Sequence, residues 1–407
     1  MRIHYCWAIS AACTIAIFVC IGLVTNGFSM YLPYMVESGL ADSDTSIIVN
    51  VRGGVSLVAM FLIHRFYRKV SARVGVFFAC LCAVAAYLLY GLAGSSLPIY
   101  VLGSVFAGVS YGLGSMIIVS EMLRKWFAKD FNLAIGVAVS GTGIATIVMP
   151  IIVEVMVERY GLMTSFIYEA IAILVLSILV FALLRDSPEE KGTQPYGVDE
   201  GYAPEEKVVF RGKTDLPRPI WMRFGFVCFV MGCIGGPGLV FLSMLFESTG
   251  SSAEVAAISI SIIGALMTVN KIAIGRMMDK LGTYHGILLF GVILTAGLLL
   301  TALLGHGDVV RYAVIILLGI GFAMMMVCPA VFAKDIALPG QYFDTVRGLE
   351  ISYVLGSFLF ALLPGTLGGL TGSYVVSYMI MAGLLIVSLI LVVTYYMFHK
   401  NVGRTHD

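Results

Sequence analysis

Long apolar segments separated by short polar ones dominate the hydrophobic pattern of this chain. A helix that crosses a bilayer needs about 20 consecutive, mainly apolar residues. Segments of this kind are predicted near 8–35, 46–65, 74–94, 98–121, 132–155 and 162–184, and again near 221–246, 254–275, 285–304, 310–333, 346–369 and 374–398. The pattern therefore predicts an all-α membrane protein of twelve transmembrane helices, numbered below as spans one to twelve.

The longest polar stretch, residues 185–219, divides the predicted spans into two sets of six. It is rich in proline, glycine and glutamate, a composition typical of solvated linkers. We therefore predict an N-terminal six-helix bundle (1–184), a cytoplasmic linker (185–219) and a C-terminal six-helix bundle with a short tail (220–407). Two related bundles are a frequent transporter architecture, in which substrate binds near the bilayer midplane where the repeats meet.

The distribution of lysine and arginine predicts the orientation of the chain. Cytoplasmic loops of membrane proteins are enriched in these residues. One side of the predicted membrane carries most of them outside the linker: Arg65, Arg68, Lys69, Arg73, Arg124, Lys125, Lys129, Arg276, Lys280, Lys334, Lys400 and Arg404. The other side carries Arg159 and Arg311 together with several acids. Both termini and the linker are therefore predicted to be cytoplasmic, in a plasma (inner) membrane.

Composition narrows the function classes. Of 407 residues, 59% are hydrophobic and 12% are charged, and the formal net charge is +1. Soluble domains carry about 25% charged residues, and a near-neutral chain gives no indication of nucleic-acid binding. The eight cysteines do not cluster with histidine at metal-ligand spacing. The sequence also lacks a G-x-x-x-x-G-K-[ST] phosphate loop and a serine–histidine–acid set. We therefore expect neither an enzyme nor a metal or other cofactor.

Two cations lie inside predicted spans, Arg52 in span two and Lys271 in span eight. A charge at the centre of such a helix costs about 2.5–3.5 kcal/mol on insertion scales, so these residues usually mark a site or pathway. Because each cation is on the second helix of its own half, the pair predicts an anion-binding site shared by the two repeats. Alternatively, Arg52 snorkels to the membrane surface or forms an outer gate with Glu37 or Glu247. For Lys271 the alternative is an internal ion pair, for example with Glu350.

Residues 275–282 read GRMMDKLG. This segment resembles the G-R-x-x-D-x-x-G signature that major facilitator superfamily transporters carry after spans two and eight. The resemblance implies that Arg276 and Asp279 form a cytoplasmic latch between neighbouring helices. The corresponding first-half segment, residues 64–69, reads HRFYRK, so Arg65 and Arg68 are the latch candidates there. His64 replaces the usual aspartate, and we expect this first latch to be weaker or differently paired.

Three further segments resemble the carboxylate-transporting branch of that superfamily, the monocarboxylate transporters and oxalate:formate antiporters. Residues 26–34 read NGFSMYLPY, which is similar to the first-helix signature G-F-S-x-x-x-P-K. Residues 125–150 contain KWF, AxG, SGxG and a proline in the order found between spans four and five of this branch. Residues 371–374, TGSY, precede span twelve. The resemblance covers most of the chain and implies the major facilitator fold and transport of small organic anions.

The resemblance assigns the substrate cation to Lys271. In this branch a basic residue, usually arginine, binds the substrate carboxylate eight positions before the loop aspartate, and Lys271 stands eight residues before Asp279. Lysine is a point charge without the flat fork of arginine, so we expect looser geometric selectivity. The chain departs from the branch in three ways. Tyr34 replaces a first-helix lysine, Met267 replaces an aspartate, and the region around Tyr353 lacks the second cation of the antiporters. Arg52 is therefore the remaining candidate companion of Lys271.

Neutral polar side chains are weaker candidates for the same site. Tyr31, Tyr34, Tyr111 and Tyr353 carry hydroxyls that can donate to a carboxylate. Tyrosines of this kind more often pack or lie at interfaces. Asn270 is expected to form a helix–helix hydrogen bond rather than to bind substrate.

These observations predict secondary active transport of small mono- or dicarboxylates by alternating access. We expect anion exchange or proton coupling, with Glu350 or Lys271 as the coupling group. Expected partners are the carboxylate, membrane lipid and a proton or counter-anion, and the chain is expected to act as a monomer. One alternative is a neutral-solute or drug exporter of the same superfamily, in which the buried cations serve gating. A second alternative is a receptor or sensor that uses a transporter scaffold without transport.

Overall fold

A computed structural model of the chain describes residues 5–40, 42–198 and 214–402, which are almost entirely helical. The chain divides into two compact units, Met1–Gly212 and Lys213–Asp407. The helices of the first unit are Cys6–Ile17, Phe18–Gly27, Leu32–Glu37, Asp42–Tyr67, Ala72–Leu92, Leu97–Leu113, Met116–Trp126, Phe131–Tyr160, Leu162–Leu183 and Pro188–Lys191. Those of the second are Arg218–Gly235, Pro237–Val240, Leu242–Ser248, Ala253–Leu281, Thr283–Leu300, Thr301–His306, Asp308–Gly321, Met324–Ile336, Tyr342–Phe360, Leu362–Thr371 and Val375–Val402.

The predicted all-α membrane architecture of two six-helix bundles is confirmed. Within the described residues, 11 helical segments are long and apolar enough to cross a membrane. The remaining predicted span, span eleven (346–369), is present as the helices Tyr342–Phe360 and Leu362–Thr371. The first of these carries Asp344, Arg347 and Glu350, and the three charges make it less apolar than its neighbours.

In the first unit, span two packs closely on span four through glycines. A side chain at Gly108 would place its Cβ 2.7 Å from the carbonyl oxygen of Arg52. One at Gly112 would lie 2.8 Å from the carbonyl oxygen of Ser56. Only a residue without a Cβ permits this approach, so the glycines let the two backbones meet and fix the position of Arg52.

In the second unit, spans seven and eleven meet in the same way. Gly232 lies against the carbonyl of Tyr353, and Gly356 lies against the carbonyl of Phe229. This backbone contact brings Cys228 of span seven within electrostatic range of Glu350 on span eleven. The position of that carboxyl is therefore set by close packing of two helices.

The composition of the linker predicts a solvated segment. The beginning of the linker instead packs on the first unit. The backbone N–H of Tyr196 donates to the carbonyl of Trp126 at 2.8 Å, and the N–H of Ala128 donates to the carbonyl of Tyr196 at 3.0 Å. The Tyr196 ring packs edge-on against Trp7 and Phe127. Aromatic residues at the ends of spans one and four therefore provide an anchor that linker composition does not reveal.

Candidate functional site

Lys271 lies in the second half of the helix Ala253–Leu281, with 2% of its surface exposed. It continues a buried stripe at helical spacing that includes Met267, Ile274 and Met278. The opposite face is exposed, with Val269 at 67%. The stripe therefore turns the ammonium group of Lys271 into the second unit and away from the face that lipid would cover.

The signature segment at the end of this helix has the geometry that its glycine predicts. Gly282 adopts a φ of +85°, a conformation that favours glycine. Arg276 is exposed and Asp279 is half-buried at the end of the helix. In the first unit Arg65 and Arg68 are exposed at the end of Asp42–Tyr67. All four latch candidates therefore lie at helix ends, and their role stays a prediction.

Arg52 reaches from span two to the backbone of span one. Its Nη1 donates to the carbonyl of Val24 at 2.7 Å, and its guanidinium carbon lies 5.7 Å from the centroid of the Phe28 ring. The side chain is half-buried. Among the described residues of the first unit, no acid forms an ion pair with Arg52. One of its five N–H donors is used on Val24, which leaves donors for an anion.

The carbonyl that Arg52 binds belongs to a wide turn of span one. Residues Phe18–Gly27 form a π-helix, a geometry that is rare and frequently found at functional sites. Two consecutive carbonyls of this segment accept side-chain hydrogen bonds, Val24 from Arg52 and Leu23 from the Tyr87 hydroxyl at 2.8 Å. Asn26, at its end, donates to the hydroxyl of Thr146 at 2.8 Å. Spans two and three thus hold the π-helix that leads into the signature segment 26–34, and span five holds the segment at Asn26.

Sequence reasoning missed the acid that Tyr31 contacts. The Tyr31 hydroxyl donates to Oε2 of Glu169 at 2.6 Å, and both side chains are buried. The Tyr31 ring stacks against Phe166, with centroids 4.2 Å apart. Glu169 is an acid within an apolar run, the same signal that identified Arg52 and Lys271. In this conformation the proton of Tyr31 is already donated, so substrate contact requires that bond to break.

The other predicted tyrosines differ in their surroundings. Tyr34 is half-buried beside the acids Glu154 and Glu158, an environment that weakens it as an anion ligand. Tyr111 is half-buried within electrostatic range of Arg52. Tyr353 is buried, and its hydroxyl packs against Gly235 of span seven.

The hydrogen bond of Asn270 differs from the expectation. Its Nδ2 donates to the carbonyl of Leu266 at 2.8 Å, within its own helix. The expected helix–helix bond is therefore wrong for the described residues. The carbonyl four residues earlier lies within reach of a short amide side chain, which accounts for the local bond.

Glu350 and Glu121 are two further buried acids. Glu350 is buried on span eleven, and no described residue donates to its Oε1. The described residues contain no ion pair between Glu350 and Lys271, one of the interpretations that the sequence left open. Glu121, near the end of span four, is 1% exposed and lies 3.5 Å from Nε of Arg124 and 3.9 Å from Nζ of Lys125. The three residues stand at i, i+3 and i+4 on one helix, the spacing at which helical ion pairs form.

Comparison with known proteins adds the family context. The Major Facilitator Superfamily model matches residues 14–349. Monocarboxylate transporter 12 of Mus musculus is 24% identical over 67% of this chain and 60% of its own length. The Agnestins efflux protein AgnL12 of Paecilomyces divaricatus is 22% identical over 67% of this chain and 60% of its own. The crystal structure of the human organic anion transporter MFSD10 (TETRAN) matches with a TM-score of 0.74 at 13% identity, over 95% of this chain and 99% of that one. The chain thus spans about 60% of the length of the relatives it matches.

Proposed function

The chain belongs to the Major Facilitator Superfamily of multi-pass membrane transporters, and we propose that it carries small organic anions, mono- or dicarboxylates, by alternating access. The observation that carries this proposal is Lys271. A cation that is 2% exposed, on the inward face of span eight, is costly for the fold. A buried cation attracts a negatively charged substrate, and the mouse relative is named as a monocarboxylate transporter.

Arg52 is the second cation of the proposal. Its bond to Val24 ties it to the π-helix of span one, so an anion that binds Arg52 acts on the segment 26–34 as well. Tyr111, within electrostatic range of Arg52, is proposed as a neutral donor. A substrate shifts a conformational equilibrium by its difference in affinity for the two states, and a cation that contacts the substrate in only one state provides such a difference.

Coupling and orientation complete the proposal. Anion exchange requires that the empty site, with its cations unneutralised, reorients poorly. Proton coupling requires a carboxyl that titrates. We propose Glu350, which is buried in the second unit, for this role. We propose that Arg276 and Asp279, with Arg65 and Arg68, latch the cytoplasmic ends, and that both termini face the cytoplasm of a plasma (inner) membrane.

The alternative of a neutral-solute or drug exporter is supported by the fungal relative, which is named as an efflux protein. In that case Arg52 and Lys271 serve gating, and uptake of the carboxylates tested below is absent in every variant. A receptor or sensor without transport binds its ligand but moves none of it across a vesicle membrane.

The test is uptake of radiolabelled lactate and succinate into proteoliposomes, with Lys271→Gln, Lys271→Arg and Lys334→Gln. Lys334 is an exposed lysine of the same unit and serves as the control. Losing one partner of a buried charge pair costs about 2–5 kcal/mol. Lys271→Gln should therefore lower the apparent affinity at least about 30-fold, whereas Lys271→Arg and Lys334→Gln retain uptake. Carboxylate uptake that survives Lys271→Gln unchanged would contradict the assignment.

A further inference from the structure

Glu169 lies inside the membrane-spanning helix Leu162–Leu183, seven residues from its first end, or about 10 Å along the axis. Its surface is 5% exposed. All of its contacts come from uncharged groups: among the described residues, no lysine or arginine forms an ion pair with it. A carboxylate at such a depth is costly without a cation, and intramembrane acids of this kind mark proton relays or substrate pathways.

The hydrogen bonds of Glu169 leave a place for one proton. Oε2 accepts the Tyr31 hydroxyl at 2.6 Å, whereas Oε1 has no partner among the described residues. The Tyr87 hydroxyl also faces this carboxyl, but its proton is donated to the carbonyl of Leu23 at 2.8 Å. The oxygen of Tyr87 can therefore only accept from Glu169. A protonated carboxyl supplies the donor that this arrangement lacks.

The titratable groups that face Glu169 come from two segments that pack on span six. Span three contributes Tyr87, and the segment after the π-helix contributes Tyr31. At Gly27 the helix of span five presents Met149, and Oε1 of Glu169 lies 3.7 Å from the Cβ position of that glycine. The titratable groups that act on the carboxyl are thus tyrosines, and none of them carries a charge near neutral pH.

Glu169 is connected to Arg52 through the π-helix. Tyr87 binds the carbonyl of Leu23, and Arg52 binds the next carbonyl, that of Val24. The same stretch leads directly into Tyr31. A change in the charge of Glu169 therefore acts on both ends of the segment that holds the candidate anion ligands of the first unit.

We propose that Glu169 is a proton-binding site of the first unit, and that its protonation releases the Tyr31 hydroxyl to donate to an anionic substrate. The proton comes from water and binds a carboxylate oxygen, while Tyr31 keeps its own proton throughout. A hydrogen bond to a carboxylate is about twice as strong as one to a neutral acid, so protonation weakens the hold of Glu169 on Tyr31. Proton and anion then favour each other's binding, which is the sign of symport. This second step rests on the proposed carboxylate transport, and the first does not.

Proton binding is tested without substrate, by infrared difference spectroscopy of the purified protein between about pH 5 and about pH 9. The C=O band of a protonated carboxylic acid should appear on acidification, and it should lose intensity in Glu169→Gln. Glu158→Gln, which alters an exposed acid of the first unit, should leave the band unchanged. In Tyr31→Phe, a second variant that keeps Glu169, the band should persist to higher pH because the carboxylate has lost its donor. An identical band in wild type, Glu169→Gln and Tyr31→Phe overturns the site.

Coupling is tested by thermal-shift titration with lactate and succinate in the same proteins. In wild type, the anion concentration needed for a given rise in unfolding temperature should increase about tenfold as the pH rises through the titration of Glu169. This pH dependence should disappear in Glu169→Gln. A pH dependence that is unchanged in Glu169→Gln overturns the coupling. If neither anion stabilises wild type while the infrared band still depends on Glu169, the carboxylate function fails and the proton site stands.

Discussion

Replacing Arg52 by methionine separates a substrate contact from a structural anchor. The variant loses the 2.7 Å bond to the Val24 carbonyl and the contact with the Phe28 ring 5.7 Å away. A hydrogen bond to a charged group contributes about 1.5–3 kcal/mol, and a cation–π contact about 0.5–2 kcal/mol. Together these stabilise the fold by about 2–5 kcal/mol on the same scales.

The same substitution removes a charge from a membrane helix. That charge costs about 2.5–3.5 kcal/mol at the helix centre. This cost is close to the stabilisation that the contacts with Val24 and Phe28 provide. The stability of Arg52→Met should therefore stay within about 1 kcal/mol of wild type. If Arg52 binds substrate, the apparent affinity for carboxylate should fall about tenfold or more, and Arg52→Lys should retain part of it because the charge remains.

The assay measures two quantities on each protein. Thermal unfolding in detergent reports stability, and initial rates of lactate and succinate uptake over a range of concentrations report the apparent affinity. Arg159→Met, which removes an exposed arginine of the same unit, is the control. A fall in unfolding temperature with unchanged affinity would mean that Arg52 only anchors span one, and the proposed role would be refuted.

Two further predictions concern packing. Gly108→Ala should destabilise the first unit by about 1–3 kcal/mol in an unfolding assay, because its Cβ would lie 2.7 Å from a backbone oxygen. Gly54→Ala, where nothing lies within 4 Å, should be neutral or stabilising in the same assay. Equal losses of stability in the two variants would refute the close contact. Tyr196→Ala should speed proteolysis of residues 188–198 severalfold, since its ring packs on Trp7 and Phe127; unchanged cleavage would show that the backbone bonds alone hold the linker.

Much of the architecture was predictable because the bilayer imposes a simple rule of length and polarity. The same rule located Lys271, and helical spacing with Met267 and Ile274 accounts for its inward position. The rule also applies to Glu169, but an acid in an apolar run does not by itself indicate which residue it contacts. Its contact with Tyr31 joins residues that are 138 positions apart, and no local pattern pairs them.

Other features arise from tertiary contacts that sequence patterns do not encode. The π-helix of residues 18–27 is bonded at successive carbonyls by Arg52 and Tyr87, from two different helices. The docking of Tyr196 on Trp126 depends on backbone groups, which carry no residue signature. Asn270 was expected to reach a neighbouring helix, but its amide bonds to Leu266 in its own turn. The first two cases depend on tertiary contacts, whereas the bond of Asn270 is local.

The most direct test of the carboxylate site is an experimental structure of the protein with succinate bound. The account predicts a carboxylate oxygen about 2.7–2.9 Å from Nζ of Lys271. An anion bound elsewhere, with Lys271 more than about 6 Å from every carboxylate oxygen, would contradict it.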